Sequence, residues 1–415
     1  MKKNVVVLVL SAVAVAVTVF LFSYCRIQVT PFQEKDTSMR AVFISYIEYM
    51  KYFDEKSDLG VKKEIDTMIK NVKTSGLNTI ILQVRPFSDA IYPSRIFPLS
   101  YTVAGTEGGK IDFDILAYFI EQAHKNNLKL HAWINPYRIR NTTDTSEISE
   151  DNPCFKWLNT NKVKVIEGKG IYYNPADSDV MDLIVEGVKE IVANYSVDGI
   201  IFDDYFYPDE SIDLENYEEI KNTISLEDYR LSNTNTLVKM VYDAIKKENP
   251  KVLFGISPDG NIANNYEMHY ADIKKWLKED GYIDYIMPQI YYGFYHGTKP
   301  FIDTLNEWES LIQNDVLIYP ALALYKAGEV DQYAKNGSNE WIENDDIMVK
   351  QMKVITERAK NNDKEKSEED SIYPSYGYSL FRYDFLFTAT SNEQLLKELE
   401  KISKEAILNL SLIHI

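Results

Sequence analysis

The sequence predicts an α/β fold, a (β/α)8 TIM barrel with rim insertions, preceded by an N-terminal transmembrane or signal segment. Short apolar runs alternate with helical patterns along the 415-residue chain from Met39 onward. Most of those runs are continuously hydrophobic, which is how parallel strands buried on both faces read. An open doubly wound sheet is the competing architecture. Against it, no Gly-x-Gly-x-x-Gly follows the first run and no P-loop occurs.

The chain opens with Lys2 and Lys3 before an apolar run from Val5 to Phe22, with Tyr24 at its edge. That run is about long enough to cross a bilayer as a helix, and the lysines place the N-terminus inside. Cys25 invites a lipoprotein reading, although Phe22, Ser23 and Tyr24 do not supply the small residue and leucine that lipid attachment favours. An uncleaved anchor, a lipidated Cys25 and a cleaved signal all export the domain. An extracytoplasmic protein is therefore expected, touching membrane through residues 5–24 only. Residues 1–25 form the anchor or signal, 26–38 a polar linker, 39–400 the barrel, and 401–415 a tail whose last residues continue no helical pattern.

Within the barrel the strand candidates are 40–46, 78–84, 128–134, 197–203, 251–257, 283–288, 316–323 and 376–382. Helical patterns cover 60–75, 112–126, 177–194, 232–248, 270–279, 303–313 and 343–361. Gly76, Gly199 and Gly281 mark turns into the following strands. Two polar, acidic and aromatic insertions, 135–176 and 204–231, fall where barrel active sites are built, and 360–371 reads as a solvated charged loop.

Composition removes several function classes. Hydrophobic residues at 45% and charged residues at 26% support a large core and exclude wholesale disorder. With 45 Lys and Arg against 63 Asp and Glu, the net charge of −18 repels nucleic acid, and no local basic patch offsets it. Two cysteines give no disulfide framework, and five histidines form neither H-E-x-x-H nor a His/Cys cluster. The spacing of Asp203, Asp204 and Asp209 matches no EF-hand loop, so neither metal nor cofactor is expected.

Polar and aromatic residues gather just past the strand ends. After the fourth run, Asp203 and Asp204 are followed by Tyr205, Phe206 and Tyr207. Adjacent carboxylates in a low-dielectric pocket cannot both ionise cheaply, so one becomes an acid, whereas a plain turn needs no such aromatic surround. The third run ends in Trp133, Asn135, Tyr137 and Arg138, a mixture suited to stacking on sugar rings and bonding hydroxyls; Trp133 also reads as barrel core. Gln83 and Arg85 share strand parity and are expected at the barrel mouth, Asp203 or Asp204 being the partner for Arg85, with Asp89 close behind. Asp259, Asn261 and Asn264 follow the fifth run, Gln289, Tyr291 and Tyr292 the sixth, and Glu48 and Arg382 the first and last.

Such a ring suits glycoside hydrolysis of a polysaccharide. A pair drawn from two strands would join Asp203 or Asp204 to Asp259 or Glu48. The adjacent pair suggests substrate assistance instead, in which the sugar's 2-acetamido oxygen attacks the anomeric carbon. Asp203 then orients the acetamido group, Asp204 is the general acid and Tyr291 hydrogen-bonds the acetamido group; the order of the two carboxylates stays open. A glycan-binding barrel with weak catalysis, or a hydrolase of non-acetylated polysaccharide using Asp204 and a carboxylate from another strand, are the alternatives.

The stretches RAVFISYIEY (40–49), ILQVRPFSDAIYPS (81–94), AWINPYRI (132–139), YYNPADSDV (172–180), DGIIFDDYFYP (198–208), GISPDGNIANN (255–265) and MPQIYYGF (287–294) resemble the glycosyl-hydrolase-like 10 family. The resemblance runs from about Met39 to about Tyr383. It implies a TIM-barrel glycosidase in a bacterial envelope protein, with peptidoglycan strands stripped of stem peptides as the expected substrate. Asp203, Asp204, Arg85, Asn135 and Arg138 match the family's characteristic stretches. Where the family has Ser-Pro-Phe-Gly and an apolar residue, this chain has Asp259 and Asn261, which weakens Asp259 as a shared catalytic residue.

Overall fold

The computed structural model describes residues 38–362, 377–388, 391–405 and 407–408. The expected anchor, most of the linker, most of the charged loop and residues 409–415 lie outside the described residues. Among the described residues no helix is long and apolar enough to cross a membrane.

The strands are β1 (Met39–Ile44), β2 (Thr79–Arg85), β3 (Lys129–Ile134), β4 (Arg138–Arg140), β5 (Val163–Ile166), β6 (Gly170–Tyr173), β7 (Gly199–Phe202), β8 (Leu253–Ile256), β9 (Tyr285–Ile286), β10 (Leu317–Ile318), β11 (Ala321–Ala323) and β12 (Gly377–Phe381). Nine of them form a parallel sheet in the order β10-β9-β8-β7-β3-β2-β1-β12-β11. Its two ends, β10 and β11, belong to one run of chain, separated only by Tyr319 and Pro320. Gln289, just past β9, also bridges to Ala321. The sheet therefore curls back on itself in TIM-barrel fashion, and each of the eight apolar runs contributes to it.

Side-chain parity divides the core into two. Ala41 and Phe43 of β1, Ile81, Trp133, Ile201, Tyr285 and Met287 pack together inside the sheet. Val42, Ile44, Ile80, Leu82 and Ile200 pack outward against the helices. Those helices carry the expected apolar stripes: Asp58–Ser75 buries Val61, Ile65, Met68, Ile69 and Val72, and Ser178–Asn194 buries Val180, Ile184, Val188 and Ile191. The pattern at 270–279 yields only a short helix, Ile273–Trp276, because Asp272 caps it late and the chain turns at Leu277. A last helix, Glu393–Lys404, buries Leu395, Leu399 and Ile402, so packed structure continues past residue 400.

Inside the barrel His131 Nδ1 lies 2.8 Å from Tyr285 OH, and burial pushes this histidine down to about 4. Gly255 leaves room for the Tyr285 ring, since a Cβ there would stand 2.2 Å from two ring atoms. Gly255→Ala is accordingly expected to cost about 1–3 kcal/mol by overpacking, read as a lower urea midpoint with unchanged slope.

The first insertion adds a small antiparallel sheet, β4-β6-β5, inside a stretch whose composition is polar and acidic. Gly168 and Gly170 take positive φ in its hairpin, and Gly170 sits against the Arg140 carbonyl, where a Cβ would stand 2.2 Å from the oxygen. Beneath it is a buried polar cluster. Arg140 pairs with Glu107, Asn152 donates to Glu107, and Ser88 Oγ lies 3.0 Å from Asn152 Oδ1 and 2.6 Å from Tyr173 OH. These contacts fix the insertion on the rim.

Candidate active site

Asp203 and Asp204 stand just past the C-terminal end of β7, at the mouth of the sheet. Asp203 is 4% exposed. Its Oδ2 accepts from Trp133 Nε1 at 3.1 Å and from Asn135 Nδ2, and its Oδ1 accepts from the Tyr205 amide at 3.4 Å. Asn135 is set in turn by Gln83, whose Nε2 donates to Asn135 Oδ1 at 2.5 Å and whose Oε1 accepts from the Tyr46 amide at 3.0 Å. A chain of amides from three strand ends thus holds one carboxylate in a fixed orientation.

Burial and the adjacent Asp204 push Asp203 up to about 7, against the pull of Arg138 and the Trp133 donor. Asp204 is also raised, first by burial and further by Asp259, while His269 and a hydrogen bond from Gln289 oppose the shift. Two neighbouring carboxyls that both resist ionisation hold their protons more tightly than a free aspartate does, which favours a general acid.

Asp204 is half-buried and borders a cavity of about 320 Å3, whose walls include Phe43, Tyr46, Gln83, Trp133, Arg138, Tyr205, Gln289, Tyr291, Tyr325 and Phe381. A hollow of about 410 Å3 shares Gln289, Tyr291 and Tyr325 with it and adds Asp259, Tyr292 and Lys326. A third, of about 950 Å3, shares Tyr205 and adds Lys169, Tyr172, Tyr207, Arg230, His269 and Tyr270. Through these shared residues the three spaces join into one open, aromatic-lined cleft, and the carboxylate pair lines its central cavity.

Most of the expected residues meet in this cleft. Trp133 packs in the barrel core, as one of its two readings has it, and its indole N–H donates to Asp203. Arg138 lines the central cavity beside Tyr205, which is 43% exposed. Tyr207 borders the largest hollow, edge-on to Tyr270 at 5.2 Å. Gln289 Nε2 donates to the Ser257 carbonyl at 3.0 Å, which fixes the amide near Asp204. Asp259 accepts from Asn264 Nδ2 at 3.0 Å and from the Asn261 amide at 2.7 Å, with Tyr292 OH at 3.5 Å. Asn261 caps the helix Ile262–Glu267 and donates to Asn264 at 3.0 Å, so both asparagines brace Asp259.

Five expected residues lie elsewhere. The β2–β3 register shifts between Gln83 and Arg85, so their parity breaks and only Gln83 turns inward. Arg85 points out beneath Phe97, its guanidinium carbon 3.6 Å from the ring centre, and packs where Gly187 lacks a side chain. It pairs with neither Asp203 nor Asp204. Asp89 is buried beside Ser100 and Tyr101, and burial pushes it up to about 7. Tyr137 is wholly buried in the outer core.

Glu48 is also wholly buried. It accepts from the Ser45 amide at 2.9 Å and Oγ at 2.5 Å in a capping box, and lies 3.4 Å from Arg382 Nε. The Glu48–Arg382 pair therefore ties the helix Tyr46–Tyr52 to the residue just past β12. Glu48→Ala would strand Arg382, with an expected loss of about 3 kcal/mol in thermal unfolding.

Tyr46, Phe381, His269 and Lys169 also line the cleft, without being among the residues expected there. Tyr46 and Phe381 do sit at strand ends, beside expected residues. His269 follows the helix Ile262–Glu267 and Lys169 sits in the β5–β6 turn, positions no strand-end rule reaches.

Sequence comparison decides the family. Residues 38–342 match the family described as Glycosyl hydrolase-like 10. The chain belongs to that family. The glycosyl-hydrolase-like 10 match stops short of β12 and the Arg382–Glu48 tie. Glycosyl hydrolase YngK of Bacillus subtilis (strain 168) is 36% identical over 323 residues, covering 71% of this chain and 62% of that protein. Glycosyl hydrolase DigH of Escherichia coli (strain K12) is 32% identical over 293 residues, covering 63% of this chain and 65% of that protein. The chain thus spans just under two thirds of the length of these curated relatives. Among solved structures, the PgaB (BpsB) glycoside hydrolase domain from Bordetella bronchiseptica superposes with a TM-score of 0.54 at 12% identity, over 87% of this chain and 98% of that one. Alpha-L-fucosidase isoenzyme 2 from Paenibacillus thiaminolyticus gives 0.52 at 13%, over 90% of this chain and 50% of that one. At such identities the likeness is one of fold.

Proposed function

We propose that this chain is an extracytoplasmic glycosidase that cleaves N-acetylated glycan strands of a bacterial envelope, peptidoglycan freed of stem peptides being the substrate. The observation that carries the reading is the asymmetry of the pair: both line the cavity, but Asp203 is buried and clamped by Trp133 and Asn135, whereas Asp204 is half-buried. In the proposed reaction Asp203 Oδ1 accepts from the acetamido N–H of the sugar. The acetamido oxygen then attacks the anomeric carbon as Asp204 delivers its proton to the departing glycosidic oxygen. Asp204, now ionised, takes a proton from the water that opens the cyclic intermediate, which restores both carboxylates and retains configuration. Tyr291, on the same wall, donates to the acetamido oxygen. An open cleft with hollows on both sides of the pair favours cleavage within strands.

A second reading rests on Asp259, whose charge raises Asp204 and which lines the adjoining hollow. There Asp204 and Asp259 would act as a two-strand pair on a non-acetylated polysaccharide. Mass spectrometry of products from peptide-stripped strands and intact sacculi, with Asp204→Asn as control, tests the first reading. Short N-acetylated fragments from the unsubstituted protein alone are expected; binding without fragments from either protein would reduce the chain to a glycan-binding role.

A further inference from the structure

We infer that Arg138 is the anchor for a carboxylate carried by the substrate, and that it fixes which sugar of an alternating strand lies on the Tyr205 side of the carboxylate pair. The inference rests on the glycan-cleaving reading of the same cleft and adds the charge of the sugar it takes.

Arg138 lines the central cavity, and its guanidinium is held among three rings: Phe87 at 4.9 Å, Tyr205 at 5.2 Å and Tyr46 at 6.0 Å. Its Nε donates to the Pro86 carbonyl at 3.1 Å, a contact that fixes the plane and leaves the terminal amino groups uncommitted. Among the described residues no carboxylate lies within ion-pairing distance of it. The other arginines at the rim are spent: Arg140 pairs with Glu107, and Arg230 grips Asp213 at 2.6 Å. Asp203 is near enough to feel Arg138 but is already capped by Trp133 and Asn135. A planar, pre-positioned guanidinium with two free donors, facing a cavity, matches a carboxylate better than a hydroxyl.

The hollow on the opposite side has the reverse character. Asp259 and Glu329 line it, and its one lysine, Lys326, is held 2.7 Å from Asp331. A carboxylate-bearing sugar is repelled there and drawn to Arg138, so a strand of alternating neutral and anionic sugars settles in one register. Only one of its two linkages then meets Asp204. Two sources supply this chemistry: a lactyl ether carboxylate on a muramyl residue, or the carboxylate of a uronic acid.

The test is calorimetric binding to the full chain carrying Asp204→Asn, so that turnover plays no part. The ligands are peptide-free peptidoglycan strands, hyaluronan oligosaccharides, and the methyl ester of each. One free acid is expected to bind about tenfold tighter than its ester, the worth of one charge-assisted contact, and which polymer does so identifies the source. Adding Arg138→Gln should bring that ratio to near unity, and Arg138→Lys should restore part of it. Equal binding of acid and ester in both polymers, a ratio that survives Arg138→Gln, or no binding at all would overturn the inference. A preference that stands while the unsubstituted protein cleaves neither polymer would instead remove the hydrolase reading alone.

Discussion

Asp204→Asn is expected to lower kcat on N-acetylated strands by about 10²–10⁴ with little change in strand affinity, because an amide cannot deliver the proton the leaving oxygen needs. The variant keeps the shape of the half-buried side chain, which accepts from Gln289 and borders the central cavity. The loss should shrink on an aryl glycoside whose phenolate departs without protonation. Steady-state kinetics on both substrates distinguishes this role from structural damage, which would depress both equally. Turnover unchanged on natural strands would take the acid role from Asp204.

Asp203→Asn is expected to separate activity from stability. An orienting carboxylate replaced by an amide should cost about 10²–10³ in kcat, since the acetamido oxygen is no longer held against the anomeric carbon. The same change removes a buried group whose folded pKa is raised from 3.8 to about 7. A carboxyl that holds its proton more tightly when folded adds stability below its unfolded pKa and loses that advantage as pH rises through about 7. Above that, the native state carries a charge that burial disfavours. The thermal midpoint of the unsubstituted protein should therefore fall between pH 5 and pH 8 relative to the variant, by roughly 2–4 kcal/mol of stability. Asp204 contributes in the same direction, so part of the pH dependence should survive in Asp203→Asn. Calorimetry at the two pH values reads the effect; a variant less stable than its parent at pH 8 would place Asp203 in a stabilising ionised contact instead.

The barrel was legible because its strands are buried on both faces, so runs such as Ile80–Leu82 and Ile200–Phe202 are apolar without alternation. The β4–β6 sheet was hidden by its setting. Val163–Ile166 and Gly170–Tyr173 flank a Glu-Gly-Lys turn, a hairpin signal embedded in an otherwise polar insertion. The positions of the carboxylate pair and of Trp133, Asn135 and Gln83 were readable from strand ends, whereas the bonds from Trp133 and Asn135 to Asp203, where sugar contacts were expected, were not. Arg85 was not, because a register shift of one residue reverses which side of a strand faces inward. Glu48 carried its own answer in Ser45-x-x-Glu48, a capping box that consumes the carboxylate locally. His269 and Lys169 reach the cleft from loops, where only three-dimensional packing brings them in.

In the proposed reaction the substrate's acetamido group, aligned by Asp203, attacks the anomeric carbon while Asp204 protonates the leaving oxygen. The direct measurement is the hydrolysis rate of one peptide-stripped strand before and after chemical removal of its N-acetyl groups, with the configuration of the first-formed sugar followed by NMR. Substrate assistance predicts retention of configuration and a rate at least about 10³ lower on the de-N-acetylated strand. Equal rates, or inversion, would contradict it and favour Asp204 acting with Asp259.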